Sequence, residues 1–457
     1  MASTVATAMA AETDSRDMLC CILHEMAGWQ MQSPESARGS WSGFSWLFLF
    51  APALTQAAVI RTVDRTDDAL VSTCSAAASD CTLRGALTVA GTGDTIVFDG
   101  GVFNPGVINL GSALPNLAVN TLTVEGPVAA QPQVILDGTS AGAGTHGLRV
   151  TANSVVVRGL WLRNFGGDGV FISGAGNSFG QVNCSFGVVI STGNGGYGFH
   201  ISGEAADGNL LNHFRSGTDG SNALGNALGG VLVDGGADAN QIGAYGCYGG
   251  MVRANQGPGV KLQGSATTGN LLRSVEAGSV AQPNTGHGIW IDGAADTAMS
   301  YVVSVIGNGG DGIRIEAGSG NWFDGNFNGV IHSNGGLGIN LVTPGDPPNG
   351  VTPNDPGDVD TGPNGLLNFP VITTIVGAGS GNVALTGSAC AACTVSLYRV
   401  AADPSGHGEG LDYITTATAD GGGNWNATLP LAIGQSLTAF AKDPANNISE
   451  FGANVLN

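Results

Sequence analysis

Residues 284–292 read NTGHGIWID, and residues 308–316 read NGGDGIRIE. In both segments an asparagine opens a glycine-rich turn, and a glycine four residues later begins an alternation of apolar and polar side chains. The unit recurs along the chain at intervals of 24 to 32 residues. Its asparagines are Asn164, Asn194, Asn226, Asn255, Asn284, Asn308 and Asn334. Self-similarity at a fixed period of this length is the signature of a repeat architecture.

A second turn lies between these units and places asparagines at similar intervals: Asn177, Asn209, Asn240, Asn270 and Asn321, with Ala298 breaking the series. Each repeat therefore carries short strands joined by glycine-rich turns. Strands of four to five residues cannot bury an apolar face alone and must stack, about 4.8 Å apart, on the strands of the next repeat. Stacked asparagines can then hydrogen-bond to one another as a ladder. The pattern predicts a right-handed parallel β-helix, a pectin-lyase-like solenoid, over about residues 59–342.

Within each unit the alternation assigns the two faces of the strand. The first and third residues after the recurring glycine, such as Ile289 and Ile291, are predicted to point inward. The second residue, such as Trp290, is predicted to point outward. The residue just before the glycine forms a further column that we expect to be exposed: Asp168, Tyr197, Gly229, Pro258, His287, Asp311 and Leu337.

The composition agrees with a globular β protein. Hydrophobic residues make up 42% of the 457 residues, and the 76 glycines follow no triplet period, which excludes a disordered chain and a collagen. No apolar run is long enough for a multi-span membrane protein. The net charge of −20, with only two lysines, also argues against nucleic acid as a partner.

Residues 31–58 resemble a secretory signal, because an apolar stretch from Phe44 to Leu54 ends in small residues near Ala57. We expect Met31 to be the true start, cleavage near Ala57 or Ala58, and a secreted or cell-surface protein without a transmembrane span in its mature chain. The alternative is an N-terminal extension with a buried apolar helix.

The remaining chain divides by composition. Residues 58–137 are predicted to form an N-terminal cap and the first coils, and residues 138–342 the repeats. Residues 343–370 are an acidic linker rich in proline and glycine. Residues 371–457 contain short strand-like runs between turn residues, which predicts a small Ig-like β-sandwich.

The segment 81–87, CTLRGAL, resembles the signature box of bacterial CSLREA-domain proteins, which are exported right-handed β-helix proteins. Residues 93–117, the segment LTVEGP and the closing segments DPGDVDTGPNGLLNFPVI, SGHGEG and AFAKDPANNISEF are similar to that family as well. The chain departs from the family pattern at Gly85, where glutamate is usual. The resemblance implies the architecture and export, but it implies no known reaction.

The cysteines of an exported chain can form disulfides. Cys74 and Cys81 flank a short polar loop, and Cys390 and Cys393 lie close together at the start of a strand-like run, so we expect one disulfide in each pair. Cys184 and Cys247 occupy equivalent positions two coils apart, about 9.6 Å, which is too far for a disulfide, and are predicted to be free thiols.

The acidic linker concentrates carboxylates at Asp355, Asp358 and Asp360, with Asp346 nearby. Such oxygen donors suit calcium, although the spacing is not that of an EF-hand. The alternative is a solvated acidic linker without a metal.

Stacking of the predicted coils brings several polar side chains onto one outer face: Lys261, His287, Trp290, Asp292, Asp311, Arg314 and Glu316. The indole of Trp290 could stack on a sugar ring while the two cations meet acidic groups of a glycan. The alternative is an ordinary solvated sheet face with neutralising charge pairs.

Two classes of function follow from these features. The first is a secreted or surface β-helix protein with a structural, adhesive or carbohydrate-binding role and no catalysis. The second is an exported polysaccharide lyase or glycoside hydrolase that acts on acidic glycans. No aspartate pair in a recognisable glycosidase motif accompanies the histidines, and repeats of 24 to 32 residues leave little chain for loops over a cleft. We therefore favour the first class.

Overall fold

A computed structural model describes residues 57–457 except 182–185, 245–248, 325–328, 348–349, 380 and 402. The signal segment, Cys184 and Cys247 lie outside the described residues, and the expectations about them stay predictions. No helix of the described part is long and apolar enough to cross a membrane.

The described residues are nearly all in β-strands and turns. The strands are β1 (Ile60–Val63), β2 (Thr95–Phe98), β3 (Gly106–Asn109), β4 (Thr123–Glu125), β5 (Val134–Asp137), β6 (Leu148–Val150), β7 (Val156–Arg158), β8 (Leu160–Arg163), β9 (Val170–Ile172), β10 (Ser178–Phe179), β11 (Val189–Thr192), β12 (Tyr197–Ser202), β13 (Leu210–Leu211), β14 (Phe214–Ser216), β15 (Gly229–Asp234), β16 (Gln241–Ile242) and β17 (Gly250–Val252). They continue with β18 (Val260–Gln263), β19 (Leu271–Arg273), β20 (Val275–Ala277), β21 (Ile289–Asp292), β22 (Ala298–Ser300), β23 (Ser304–Ile306), β24 (Ile313–Ala317), β25 (Trp322–Phe323), β26 (Val330–His332), β27 (Ile339–Leu341), β28 (Val371–Gly379), β29 (Asn382–Ser388), β30 (Thr394–Val400), β31 (Gly410–Thr418), β32 (Asn424–Pro430), β33 (Ser436–Lys442) and β34 (Val455–Leu456).

Three long sheets wrap around one core. Sheet 1 has the order β1-β2-β4-β7-β10-β13-β16-β19-β22-β25, and sheet 3 has the order β6-β9-β12-β15-β18-β21-β24-β27. Sheet 2 begins β3-β5-β8-β11-β14-β17-β20-β23-β26. Neighbouring strands within these rows are parallel, and each row takes one strand per coil. The predicted right-handed parallel β-helix is therefore confirmed.

The inward positions predicted from the alternation form the core. Ile289 and Ile291 of β21 are fully buried, as are Ile313 and Ile315 of the next strand. Each inward side chain stacks on its equivalent in the neighbouring coil, as Ile289 does on Ile313. Because a strand alternates its side chains with a period of two, the core face and the outer face follow directly from the sequence.

The asparagine turns form a buried ladder along the helix. The side-chain amide of each asparagine donates to the Oδ1 of the next at 2.9 Å, through the series Asn194, Asn226, Asn255, Asn284, Asn308 and Asn334. Asn164 does not belong to this ladder, so the prediction was wrong there. One extra residue separates Asn164 from the recurring glycine, and the N–H of Phe165 bonds to Asn194 instead.

The second series of asparagines is also buried. The break in it falls at Thr297 and not at Ala298 as predicted, because Ala298 pairs with Leu271, the residue after Asn270. The N–H of Thr297 donates to the Oδ1 of Asn321 at 3.0 Å, and Ala298 is the first residue of β22. Asn364 extends this series beyond the last coil, since its Oδ1 accepts from the N–H of Asn321 at 3.1 Å.

The N-terminal end is covered by a cap that contains helix α1 (Leu83–Val89). The hydroxyl of Thr82 caps this helix by accepting from the N–H of Gly85 at 3.0 Å. A Cβ at Gly85 would overlap the carbonyl oxygen of Val71, so a glutamate at this position would not fit. The structure joins Cys74 to Cys81, and likewise Cys390 to Cys393 near the other end.

The C-terminal residues build two antiparallel sheets around a second core. One sheet has the order β28-β29-β32, and the other, β31-β30-β33-β34, continues sheet 2 through a contact between Ile331 and Gly410. Trp425 and Leu397 lie in the core between them. This part is a β-sandwich in outline, and its Ig-like character stays a prediction.

Residues 371–457, which we call the C-terminal module, also end the asparagine ladder. The amide of Asn334 donates to the carboxylate of Glu409 at 2.8 Å. Glu450 accepts from the N–H groups of Leu341 and Thr352 in the same way. Two buried carboxyl groups thus accept from backbone and amide donors that the last coil would otherwise leave unsatisfied.

Candidate functional site

Sheet 3 positions the candidate site. Its outward side chains form one row, which we call the outer row, with one member in each coil: Arg149, Phe171, His200, Leu232, Lys261, Trp290, Arg314 and Asn340. The residues just before the recurring glycines form a second column beside this row. The strand spacing places successive members about 4.8 Å apart.

The seven predicted site residues lie together on β18, β21, β24 and the turns before them, and we call them the C-terminal cluster. The ammonium of Lys261 lies 3.7 Å from the centre of the Trp290 ring and 3.1 Å from the carboxylate of Asp292. The ring of His287 meets the edge of Trp290, with 5.7 Å between ring centres. The cation and the aromatic ring are thus held by cation–π attraction and an ion pair together.

Asp311 organises the other half of the C-terminal cluster. Its Oδ2 accepts from Arg314 at 3.0 Å, and Arg314 also donates to Glu316 at 2.7 Å. The backbone N–H of Asp311 donates to Nδ1 of His287 at 2.9 Å. Nδ1 of His287 is therefore an acceptor, which leaves the proton of the neutral ring on Nε2. Burial lowers the pKa of His287, in agreement with a neutral imidazole.

The column before the glycine is not exposed throughout, contrary to the prediction. Asp311 is only 6% exposed and Asp168 only 7%, and Leu337 is buried as well. Lys261 of the outer row is 8% exposed. These side chains are covered by their neighbours along the sheet, because long side chains in successive coils pack on one another and pair their charges.

A second cluster lies on β6, β9, β12 and β15, where no site was predicted. We call it the N-terminal cluster: His146, Arg149, Asp168, Phe171, Tyr197, His200 and Asp234. The imidazole of His200 lies between two carboxylates, with Nδ1 3.1 Å from Asp168 and Nε2 3.2 Å from Asp234. Burial would lower the pKa of His200, but the two carboxylates outweigh it and raise the pKa to about 9. At neutral pH His200 is an imidazolium.

The two clusters share two pair contacts, but the pairs differ in register by one coil: Phe171 lies in the coil of Asp168, whereas Trp290 lies in the coil of His287. In each, a histidine is followed one coil later by a buried aspartate whose N–H donates to the histidine Nδ1, as in His146 with Asp168 and His287 with Asp311. In each, a cation of the outer row lies over the aromatic ring of the next coil. Arg149 lies 4.9 Å from the centre of the Phe171 ring, as Lys261 lies over Trp290.

The shared pair of histidine and aspartate was visible in the sequence. The dipeptides His-Gly and Asp-Gly follow one another in successive repeats at both places, at residues 146–147 and 168–169 and again at 287–288 and 311–312. Phe171 and Trp290 are four strands apart, about 19 Å at the usual strand spacing. The two clusters adjoin, because β15, which carries Asp234 and has Leu232 in the outer row, pairs directly with β18, which carries Lys261.

The predicted calcium ligands also lie together. One carboxylate oxygen from each of Asp355, Asp358 and Asp360 lies within 4.8 Å of the others. Burial and the two neighbouring carboxylates raise the pKa of Asp360. A calcium ion would relieve that repulsion and takes oxygen ligands, so the residues fit such an ion, and its binding stays a prediction.

Comparison with known proteins gives limited further information. No protein-family model matches the chain, so the resemblance to CSLREA-domain proteins stays a prediction. No curated protein matches its sequence. Among solved structures, mutants of the periplasmic alginate epimerase AlgG align with TM-scores of 0.31, at 16% and 15% identity over 56% of this chain.

The chain spans 58 to 59% of the length of those epimerase structures. A tailspike protein mutant of E. coli bacteriophage HK620, in complex with a pentasaccharide, aligns over 77% of this chain and 68% of its own length. Its TM-score is 0.18 and its identity 12%. Alignments this distant carry no argument about this chain's function, which must be argued from its site.

Proposed function

We propose that the protein is an exported β-helix protein that binds a carbohydrate along the outer face of sheet 3. The observation that carries the proposal is the presence of two clusters on one face, each with an aromatic ring, a cation and carboxylates in adjacent coils. Aromatic rings next to planar polar groups suit a sugar ring, which presents an apolar C–H face and a rim of hydroxyls.

The proposed ligand is an extended glycan. The clusters lie on one face and in one line, about 19 Å apart between Phe171 and Trp290, so that a linear chain along the outer row would meet both. Two contacts on one ligand raise its affinity well above that of either alone. A role in adhesion or surface display follows if the glycan belongs to a cell surface.

The charges favour binding over catalysis. Lys261 is held by Asp292, and Arg314 is held by Asp311 and Glu316. His200 is protonated between two carboxylates and cannot act as a base near neutral pH. Because these cations are neutralised within the protein, an uncharged glycan fits the face better than an acidic one.

Export is part of the proposal. It is supported by the secretory-type sequence of residues 31–58 and by the two disulfides, which persist in oxidising compartments. Detection of the mature protein outside the cytoplasm, with an N-terminus near residue 58, would support it, whereas an intact protein that begins at Met1 in the cytoplasm would refute it.

A glycan array followed by titration calorimetry tests the binding. Loss of a stacking contact is worth about 0.5–2 kcal/mol, so Trp290→Ala and Phe171→Ala should each weaken binding by about twofold to thirtyfold. Trp161→Ala is the matched control, because Trp161 is also an outward, half-buried tryptophan but lies on sheet 2 beside Arg163. If Trp161→Ala weakens binding while the two sheet 3 variants do not, the ligand does not bind to sheet 3.

A further inference from the structure

We propose that the glycan face ends in a pocket that takes the terminal unit of an uncharged sugar chain. This inference rests on the proposed function and names the part of the ligand that one cavity recognises. The cavity has a volume of about 500 Å³ and lies between the last coil and the C-terminal module. Its lining residues are Asp311, Gly335, Gly336, Leu337, Asn340, Gly350, Asp403, Pro404 and Ser405.

The cavity lies at the C-terminal end of the outer row. β27, which carries Asn340 of the outer row, is the last strand of sheet 3. The segment 403–405 of the C-terminal module forms the opposite wall. A sugar chain that follows the outer row from the C-terminal cluster therefore meets this wall one coil after Arg314, and its final unit enters the cavity.

The polar groups of the lining are mainly acceptors. The amide nitrogen of Asn340 donates to Oδ2 of Asp311 at 3.1 Å, which fixes the orientation of the amide. The other atom of that amide, Oδ1, has no hydrogen-bond partner among the described residues. It is buried, and Asn340 as a whole is only 8% exposed. Buried acceptors of this kind are normally satisfied. Because this oxygen is covered, a sugar hydroxyl in the cavity would reach it after a small shift of the amide and would then satisfy it.

The charge of the lining excludes an acidic unit. Asp311 and Asp403 both contribute carboxylates, and none of the described lining residues is a cation. Arg314 next to the cavity is already bound by Asp311 and Glu316. A neutral unit with several hydroxyl donors meets these acceptors without placing like charges together.

The shape of the cavity fits a compact ring. The carboxylate of Asp311 packs against Gly336, where a Cβ would overlap it, so the missing side chain at Gly336 lets this carboxylate line the cavity. Leu337 replaces the polar or charged residue that several other coils carry at this position, such as Asp311 one coil earlier. Together with Pro404 it supplies an apolar wall for the C–H face of a sugar.

Titration calorimetry of the full protein tests the inference with xylohexaose, mannohexaose and maltohexaose, and with hexagalacturonate as the acidic comparator. The expected result is binding of a neutral hexamer, weakened about tenfold by Asn340→Ala through loss of one buried hydrogen bond. Pro404→Phe, which adds bulk at an exposed part of the wall, should weaken binding to a similar degree without touching the core. Trp161→Ala again serves as the control.

Chain length separates an end pocket from an open groove. For oligomers of the bound glycan from three to ten units, one protein should bind per chain at every length, because each chain has one suitable end. Several proteins on one long chain, or a preference for hexagalacturonate, would overturn the inference. A neutral glycan that depends on Trp290 but not on Asn340 or Pro404 would overturn it and leave the proposed function intact. If none of the four glycans binds, the inference is wrong, and the glycan array decides the proposed function separately.

Discussion

The asparagine ladder gives the sharpest prediction about what holds the helix together. In Asn255→Ala, the Oδ1 that accepts from the backbone N–H of Asn226 at 3.2 Å and from its side-chain amide at 2.9 Å is lost. The bond from the Asn255 amide to Asn284 at 2.9 Å is lost as well. All three residues are fully buried, so water cannot replace these bonds without opening the coil.

The loss of folding free energy in Asn255→Ala depends on which groups keep a hydrogen-bond partner. The side-chain amide of Asn226 still has the hydroxyl of Ser216 at 3.2 Å, and Oδ1 of Asn284 still accepts from the N–H of residue 255. The backbone N–H of Asn226 donates to Oδ1 of Asn255, and among the described side chains it has no other acceptor, so the substitution leaves it without one. One orphaned donor at about 1–3 kcal/mol and two weakened groups at about 0.5–1.5 kcal/mol each give a loss of about 2–6 kcal/mol.

Chemical unfolding, combined with amide hydrogen exchange at Asn226, measures this loss both globally and locally. Asn164→Gly is the control, because Asn164 lies outside the ladder, is exposed and has a φ of 61°, which glycine adopts without strain. We expect it to change the free energy of unfolding by less than about 1 kcal/mol. Equal effects of the two variants, or an Asn255→Ala loss below about 1 kcal/mol, would show that the ladder does not stabilise the coil in this way.

Three further outcomes are expected. The NMR titration of His200 should have its midpoint near pH 9, and His200→Gln should remove a contribution to stability that is complete below the ordinary imidazole pKa and is lost as the pH rises through about 9. A midpoint at the ordinary value would mean that the two carboxylates do not hold the ring. Burial raises the pKa of Glu450 to about 8, so the folded protein favours the protonated carboxyl group. The stability that Glu450 contributes is therefore complete below about pH 4.5 and declines as the pH rises to about 8. The melting temperature of Glu450→Gln should therefore fall less than that of the wild type between pH 6 and pH 9, and parallel curves would contradict this. Calcium, but not magnesium, should raise the melting temperature of the wild type and not of Asp360→Asn, and no calorimetric signal with millimolar calcium would identify the loop as a solvated linker.

The approximate location of the candidate site could be predicted from the sequence, but its internal pairing could not. The seven residues of the C-terminal cluster lie in three successive repeats, and stacking of repeats is enough to bring them together. The burial of Lys261 and Asp311 was missed, because it depends on how side chains from neighbouring coils lie on one another. The N-terminal cluster was missed for a similar reason. All its residues except Asp234 stood in the same two columns, but nothing local indicates that His200 lies between Asp168 and Asp234.

The sequence by itself determined the repeat, the inward and outward faces and the stacking, because short alternating strands with a regular period can bury their apolar side only against their own copies. It could not determine register, since one extra residue in a turn was enough to take Asn164 out of the ladder. Only the tertiary structure decided how the helix ends, where Glu409 receives the last ladder asparagine 75 residues away in the chain. It also formed the cavity between residues 335–350 and 403–405. Such contacts join segments that share no sequence pattern, and they depend on the packing of one folded part against another.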